Sequence, residues 1–107
     1  MSLALDMART RAPAGEETLG GEYLRALRMI ERLHRLLIFL SRIHGIRSGR
    51  ETTIAVPFTH GDLANLIGST RQWVTVQLAR MQERGIIRYH RGLISILNMP
   101  ALDLEVV

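Results

Sequence analysis

Between Thr59 and Gly85 the chain carries two helix-start signals about ten residues apart with a glycine between them, and this stretch leaves few folds open. Thr59 stands three residues before Asp62, the spacing at which a hydroxyl and a carboxylate cap each other's amides. Leu63, Ala64, Leu66 and Ile67 then run to Gly68. Gly68 supplies the positive φ that a sharp turn needs. Ser69 or Thr70 caps a second helix, with Ser69 and Gln72 again at capping-box spacing. Two short helices joined by a tight turn form a helix-turn-helix.

In the second helix Val74, Leu78 and Met81 recur at spacings of four and three, which puts them on one buried stripe. The opposite arc holds Gln72, Val76, Ala79 and Glu83. Arg71 and Thr75 lie on one shoulder, and Trp73, Gln77 and Arg80 on the other. A short helix with guanidinium, amide, hydroxyl and small apolar groups at its exposed N-terminal end can enter a major groove. Its first amides and positive dipole end favour a phosphate at the same place.

On these residues the chain resembles the C-terminal DNA-binding domain of the Crp/Fnr family of bacterial transcription regulators. The family pattern is matched at Thr59, Leu63, Ala64, Ile67, Gly68, Thr70, Arg71, Val74, Thr75, Leu78, Gly85, Ile86 and Ile87, with Met81 in the place of the last helix leucine. A looser similarity extends from about Met29 to Leu102. Gln72, Trp73 and Val76 depart from the pattern, which has Glu, Thr and Arg there. Of the family's usual base readers only Arg71 is carried over, so the resemblance implies DNA binding at an altered half-site. It also implies an upstream effector-binding β-barrel, dimerisation and RNA polymerase as a further partner.

A chain of 107 residues accommodates one domain and not that barrel as well, so a fragment or short form lacking the effector domain is expected. The opening Met1-Ser2-Leu3 also fits an added leader on a cut-down regulator. The net charge of +4 favours an anionic partner. All 14 basic residues are Arg, the side chain that pairs bidentately with phosphate and guanine, although Arg-only usage equally fits a GC-rich genome. The absence of Cys excludes disulfides, thiolate metal sites and a cysteine nucleophile, and suits a cytoplasmic location. The longest apolar run, Leu36 to Leu40, is far short of the roughly 20 residues that span a bilayer, and no signal-peptide pattern precedes it.

Residues 1–21 lack a sustained period and read as a weakly ordered lead-in, with room for a short helix over 3–11. Residues 22–45 form an amphipathic packing or dimer helix. Leu24, Leu27, Ile30, Leu33, Leu37, Leu40 and His44 mark its stripe, and Gly45 is a natural left-handed stop. Leu36, Ile38, Phe39 and Ile43 widen that stripe beyond the needs of one small domain, which suits a second copy of the chain. Residues 46–107 form the DNA-binding domain. A polar turn over 47–50 and a short strand over 52–56 lead into the helix pair. After it, two β-rich runs around His90, Arg91 and Gly92 make a hairpin placed as a wing, and residues 101–107 form a terminal helical turn or fray. The expected fold is mainly α with a small antiparallel sheet: a winged helix-turn-helix preceded by a long amphipathic helix.

Arg71 is placed to take guanine O6 and N7 or a phosphate, against the alternative of a surface ion pair. Gln72 matches adenine N6 and N7, Thr75 a phosphate or a base, and Val76 a thymine methyl, each against an ordinary exposed side chain. Ser69 and Thr70 are caps whose hydroxyls can also touch a phosphate. Arg88, His90 and Arg91 form a basic cluster at the hairpin tip, suited to backbone or minor-groove contact. Trp73 reads as a half-buried anchor. His34, His44, His60 and His90 have no metal-ligand spacing and read as structural or surface residues. No cofactor is expected in this chain, and no nucleophile with a base, phosphate-cradling loop or carboxylate pair suggests an enzyme. The expectation is therefore a homodimer that binds a pseudo-palindromic duplex DNA site. The alternative is a winged-helix module that binds protein without specific DNA binding, and RNA binding is a further one.

Overall fold

The longest element follows from the longest uninterrupted apolar period. In the computed structural model, which describes residues 17–106, helix α1 spans Glu17–His44. The first sixteen residues, including the short helix expected over 3–11, lie outside the described residues. Helix α1 starts five residues earlier than the Glu22 that the pattern indicates, and residues 17–21, expected as lead-in, are helical. Gly20 and Gly21 weaken a helix by about 1 kcal/mol each relative to Ala, which lowers propensity without stopping the ladder.

Helix α1 ends because of Gly45, but not through a left-handed cap. Gly45 is absent from the positive-φ glycines, which are Gly49, Gly68, Gly85 and Gly92. Instead the chain turns directly into a strand, and a Cβ on Gly45 would collide with the Ser41 carbonyl oxygen and sit 2.7 Å from Thr52 Cγ2. The glycine is required by close approach of helix and sheet. Strand β1 (Gly45–Ser48) pairs with β2 (Glu51–Ile54) around a turn at Gly49 and Arg50. The expected polar turn over 47–50 is thus only its last two residues, and the expected strand over 52–56 ends two residues sooner. Ala55 closes this corner by donating its amide to the His44 carbonyl at 2.8 Å.

Helices α2 (His60–Ile67) and α3 (Arg71–Glu83) follow, then the wing strands β3 (Ile87–His90) and β4 (Leu93–Ile96). The four strands form one antiparallel sheet in the order β1-β2-β4-β3. In that register Ile54, Ile87, Ile94 and Ile96 share the inner face and are buried, whereas Thr53 and Ser95 meet across the outer face with their hydroxyl oxygens 2.9 Å apart. The remaining core comes from Leu33, Leu37 and Leu40 of α1, Leu63 and Ile67 of α2, and Val74, Leu78 and Met81 of α3. The last three are the stripe that the period of α3 predicts.

The tail is more ordered than a single turn. Helix α4 (Met99–Val106) begins where Asn98 accepts the Ala101 amide on its Oδ1 at 3.2 Å, and it buries Leu102 completely in packing against α1. The molecule extends 49 × 27 × 23 Å, since α1 reaches beyond the body that covers its C-terminal half.

Candidate nucleic-acid interface

The start of α2 has both halves of the capping box. The Asp62 amide donates to Thr59 Oγ1 at 3.0 Å, and the Thr59 amide donates to Asp62 Oδ2 at 2.9 Å. Gly68, at φ 75°, ends the helix in the left-handed region, and the Ser69 amide closes it on the Ala64 carbonyl at 2.8 Å. Ser69 therefore serves through its backbone to stop α2 and is not the cap of α3. That cap is Thr70, whose Oγ1 accepts the Trp73 amide at 3.1 Å. With one donor satisfied, the other first-turn amides of α3 remain without intrahelical partners, as at any helix start.

Directly after the cap, Arg71, Gln72, Thr75 and Val76 are all exposed, Val76 at 48%. These are the predicted readers, and the fold puts them on one face at the N-terminal end of α3. They differ in what else holds them. The Arg71 stem passes α2, since a Cβ on Gly61 would lie 3.9 Å from Arg71 Cδ. Thr75 is held twice: its hydroxyl donates to the Arg71 carbonyl at 3.0 Å and contacts His60 Nδ1 at 2.6 Å. Gln72 and Val76, with the half-buried Trp73 and Gln77 and the exposed Arg80, also line a groove of about 680 Å³ against Tyr23, Ala26, Leu27 and Ile30 of α1.

The wing turns through Arg91 at φ 54° and Gly92 at φ 80°, two successive left-handed residues that give a two-residue type I′ hairpin. Its tip is fastened to the loop before α2. The Phe58 amide donates to the Gly92 carbonyl at 2.9 Å, and a Cβ on Gly92 would come within 3.2 Å of Pro57 Cβ. His90 and Arg91 are exposed at this tip. Arg88 is not with them: it lies mid-strand on the outer sheet face, where its Nη2 meets Glu51 Oε1 at 2.7 Å. The alternation of a strand puts Arg88 and His90 on the same face but roughly 7 Å apart along it, so the predicted three-residue basic cluster reduces to two.

Tyr89 joins wing, turn and helix. Its hydroxyl donates to the Phe58 carbonyl at 2.6 Å, its amide donates to Gln82 Oε1 at 3.3 Å, and its ring meets the His60 ring edge-on at 4.8 Å. Burial, and secondarily the Asp62 charge, raise the Tyr89 hydroxyl above its usual pKa of 10.0, which keeps it a donor to Phe58. By sequence His60 reads only as a structural or surface residue. Its meeting with Thr75 depends on the angle between two helices, which no spacing encodes. The available signal is that His60 is the first residue after a cap, beside the turn that carries Arg71.

The family described as "Crp-like helix-turn-helix domain" matches residues 31–104. The chain is 38% identical over 75 residues to a global nitrogen regulator of Synechococcus elongatus, an alignment that covers 70% of this chain and 34% of that protein. It thus spans about a third of the length of this curated relative. Among solved structures, oxidized CprK in complex with o-chlorophenolacetic acid superposes with a TM-score of 0.70 at 20% identity, over 85% of this chain and 39% of CprK. A transcriptional regulator of the CRP/FNR family from Thermus thermophilus gives 0.64 at 24% identity, over 87% and 51%. At these identities the superpositions establish the winged helix-turn-helix fold.

Proposed function

The chain belongs to the family of Crp-like helix-turn-helix domains, and from that premise we propose that it is the DNA-binding part of a transcription regulator, with α3 reading a major groove. The observation that carries the reading is the capped start of α3, where Arg71, Gln72, Thr75 and Val76 stand exposed on one face. Arg71 and Gln72 have the donors and acceptors for guanine and adenine edges, and Val76 offers an apolar contact to a thymine methyl. Thr70, Ser69 and the first amides of α3 serve phosphates, and His90 and Arg91 of the wing reach the flanking backbone. Arg88 is engaged with Glu51 and contributes through the fold of the sheet rather than by contact. The net charge of +4 supplies the sequence-independent share of affinity. A homodimer would set two α3 helices about 34 Å apart on a pseudo-palindrome. Among the described residues no helix is long and apolar enough to cross a membrane. The reading assigns the chain no catalytic step and no cofactor, places it in the cytoplasm, and leaves RNA polymerase as a partner of the assembled regulator.

Selection from a random duplex pool, with titration of the enriched and a scrambled duplex at two salt concentrations, tests this. The expected result is a two-fold symmetric motif preferred by roughly 10³-fold or more, with affinity falling steeply with salt. Equal weak binding to both duplexes would overturn specific recognition.

A further inference from the structure

The groove of about 680 Å³ between α1 and α3 has an apolar row on each side. On α1 the half-buried Leu27 and Ile30 line it, and on α3 the half-buried Trp73 and the exposed Val76. The three positions at which α3 departs from the family pattern, Gln72, Trp73 and Val76, all line this one groove. With the Glu and Arg of that pattern at 72 and 76, the α3 wall would have to give up water to an apolar helix face, which a charge resists. With Trp73 and Val76 the same wall is suited to contact. Helix α1 is tied to the body at Arg32, whose guanidinium donates to the Ile67 carbonyl at 3.3 Å, and its earlier turns project beside α3. Gentle curvature of those turns, which long helices sustain, closes the groove.

Resting on the DNA-binding reading above, we propose that the N-terminal half of α1 is an intramolecular cover for α3: Leu27 and Ile30 close on Trp73 and Val76, and the closed cover and duplex DNA exclude each other. An α-helix with its side chains is about 10–12 Å across and a major groove about 12 Å wide, so a duplex that takes up α3 runs a phosphate backbone along each of its flanks. One flank carries the exposed Arg71 and Thr75. The other carries Trp73, Gln77 and Arg80, and α1 stands along it. A backbone on that side claims the space that closure fills, and the apolar α1 wall offers its phosphates no replacement for water. Gln72 and Val76 therefore have alternative partners, α1 in the free chain and base edges in the complex. Apparent affinity scales with the fraction of chains that are open, so a cover closed about nine-tenths of the time weakens binding about tenfold without changing which sequence is preferred.

Trp73 is the single Trp of the chain, so its fluorescence reports on the groove without DNA. The test compares three full chains: wild type, the Leu27→Gln/Ile30→Gln double variant, and Leu24→Gln, which alters the same half of α1 outside the groove. Each is measured by acrylamide quenching of the free protein and by titration with an enriched and a scrambled duplex. In the double variant the quenching constant should rise about twofold and the affinity for both duplexes about tenfold, at an unchanged ratio between them. Leu24→Gln should change neither. Equal quenching in wild type and double variant overturns the cover. Increased quenching with unchanged or reduced affinity overturns the exclusion of DNA. Wild-type quenching that weakens as protein concentration rises assigns the groove to a second copy and overturns the intramolecular cover. Increased quenching with no duplex bound by any of the three chains overturns the DNA reading, and the exclusion with it, while the contact between α1 and α3 stands.

Discussion

The two ends of α1 have the same kind of sequence and opposite surroundings. Leu33, Leu37 and Leu40 at its C-terminal half are buried, Leu37 completely, under α2, β2 and α4. Leu24, Leu27 and Ile30 at its N-terminal half continue the same spacing, yet Leu24 is 38% exposed and Leu27 and Ile30 are half-buried along the groove beside α3. An apolar period shows that a helix has a face to bury. It does not show how much of that face the same chain covers. Here the boundary falls near Arg32, whose guanidinium Nη1 donates to the Ile67 carbonyl at 3.3 Å, where α2 ends against α1.

Truncating the covered end should have the largest effect. Leu37→Ala leaves a cavity in a close-packed site and should cost about 2–5 kcal/mol in chemical denaturation. A domain of this size has only about 5–15 kcal/mol of stability, so the variant should be substantially unfolded at moderate denaturant. A loss below about 1 kcal/mol, well under the usual cavity cost, would mean that α1 is not bound to the helix pair as described.

At the boundary the effect should be smaller and local. Arg32→Met keeps an apolar stem but removes the donor to Ile67, which should cost about 0.5–1.5 kcal/mol. Hydrogen exchange should quicken at the Ser69 amide, which closes the same turn on Ala64. Unchanged exchange there would place the end of α2 under the control of Gly68 alone.

The same contrast explains what can be read from the chain. Thr59, Asp62, Gly68 and the stripe Val74, Leu78 and Met81 are legible because caps, left-handed glycines and helical periods are local, and both capping-box bonds and the buried stripe are present. The readers on α3 are legible as exposed for the same reason. Features set by how elements meet are not. Gly45 does stop the helix, but through close approach to Ser41 and Thr52 rather than through the left-handed turn that a terminal glycine suggests. Strand β1 has no buried residue, so no alternation marks it. Arg88 is adjacent to the wing tip in sequence, but strand alternation and its partner Glu51 take it to the outer sheet face. His60 meets Thr75 only because α2 and α3 cross where they do.

The uncovered end of α1 should give the smallest effect, and it is the sharpest test of the comparison. Leu24→Ala removes a side chain that is partly in water already and replaces it with the best helix former, so the expected change is within about 0.5 kcal/mol at low protein concentration. Stability of an isolated chain should not depend on its concentration, whereas a face covered by a second copy is stabilised by mass action. Thermal unfolding of wild type and Leu24→Ala over a roughly hundredfold range of concentration separates the two cases. Equal, concentration-independent midpoints mean that the exposed half of α1 stays in solvent and the chain folds alone. A wild-type midpoint that climbs with concentration, with Leu24→Ala failing to follow it, means that the apparent difference between the two ends is only a difference in which chain covers them.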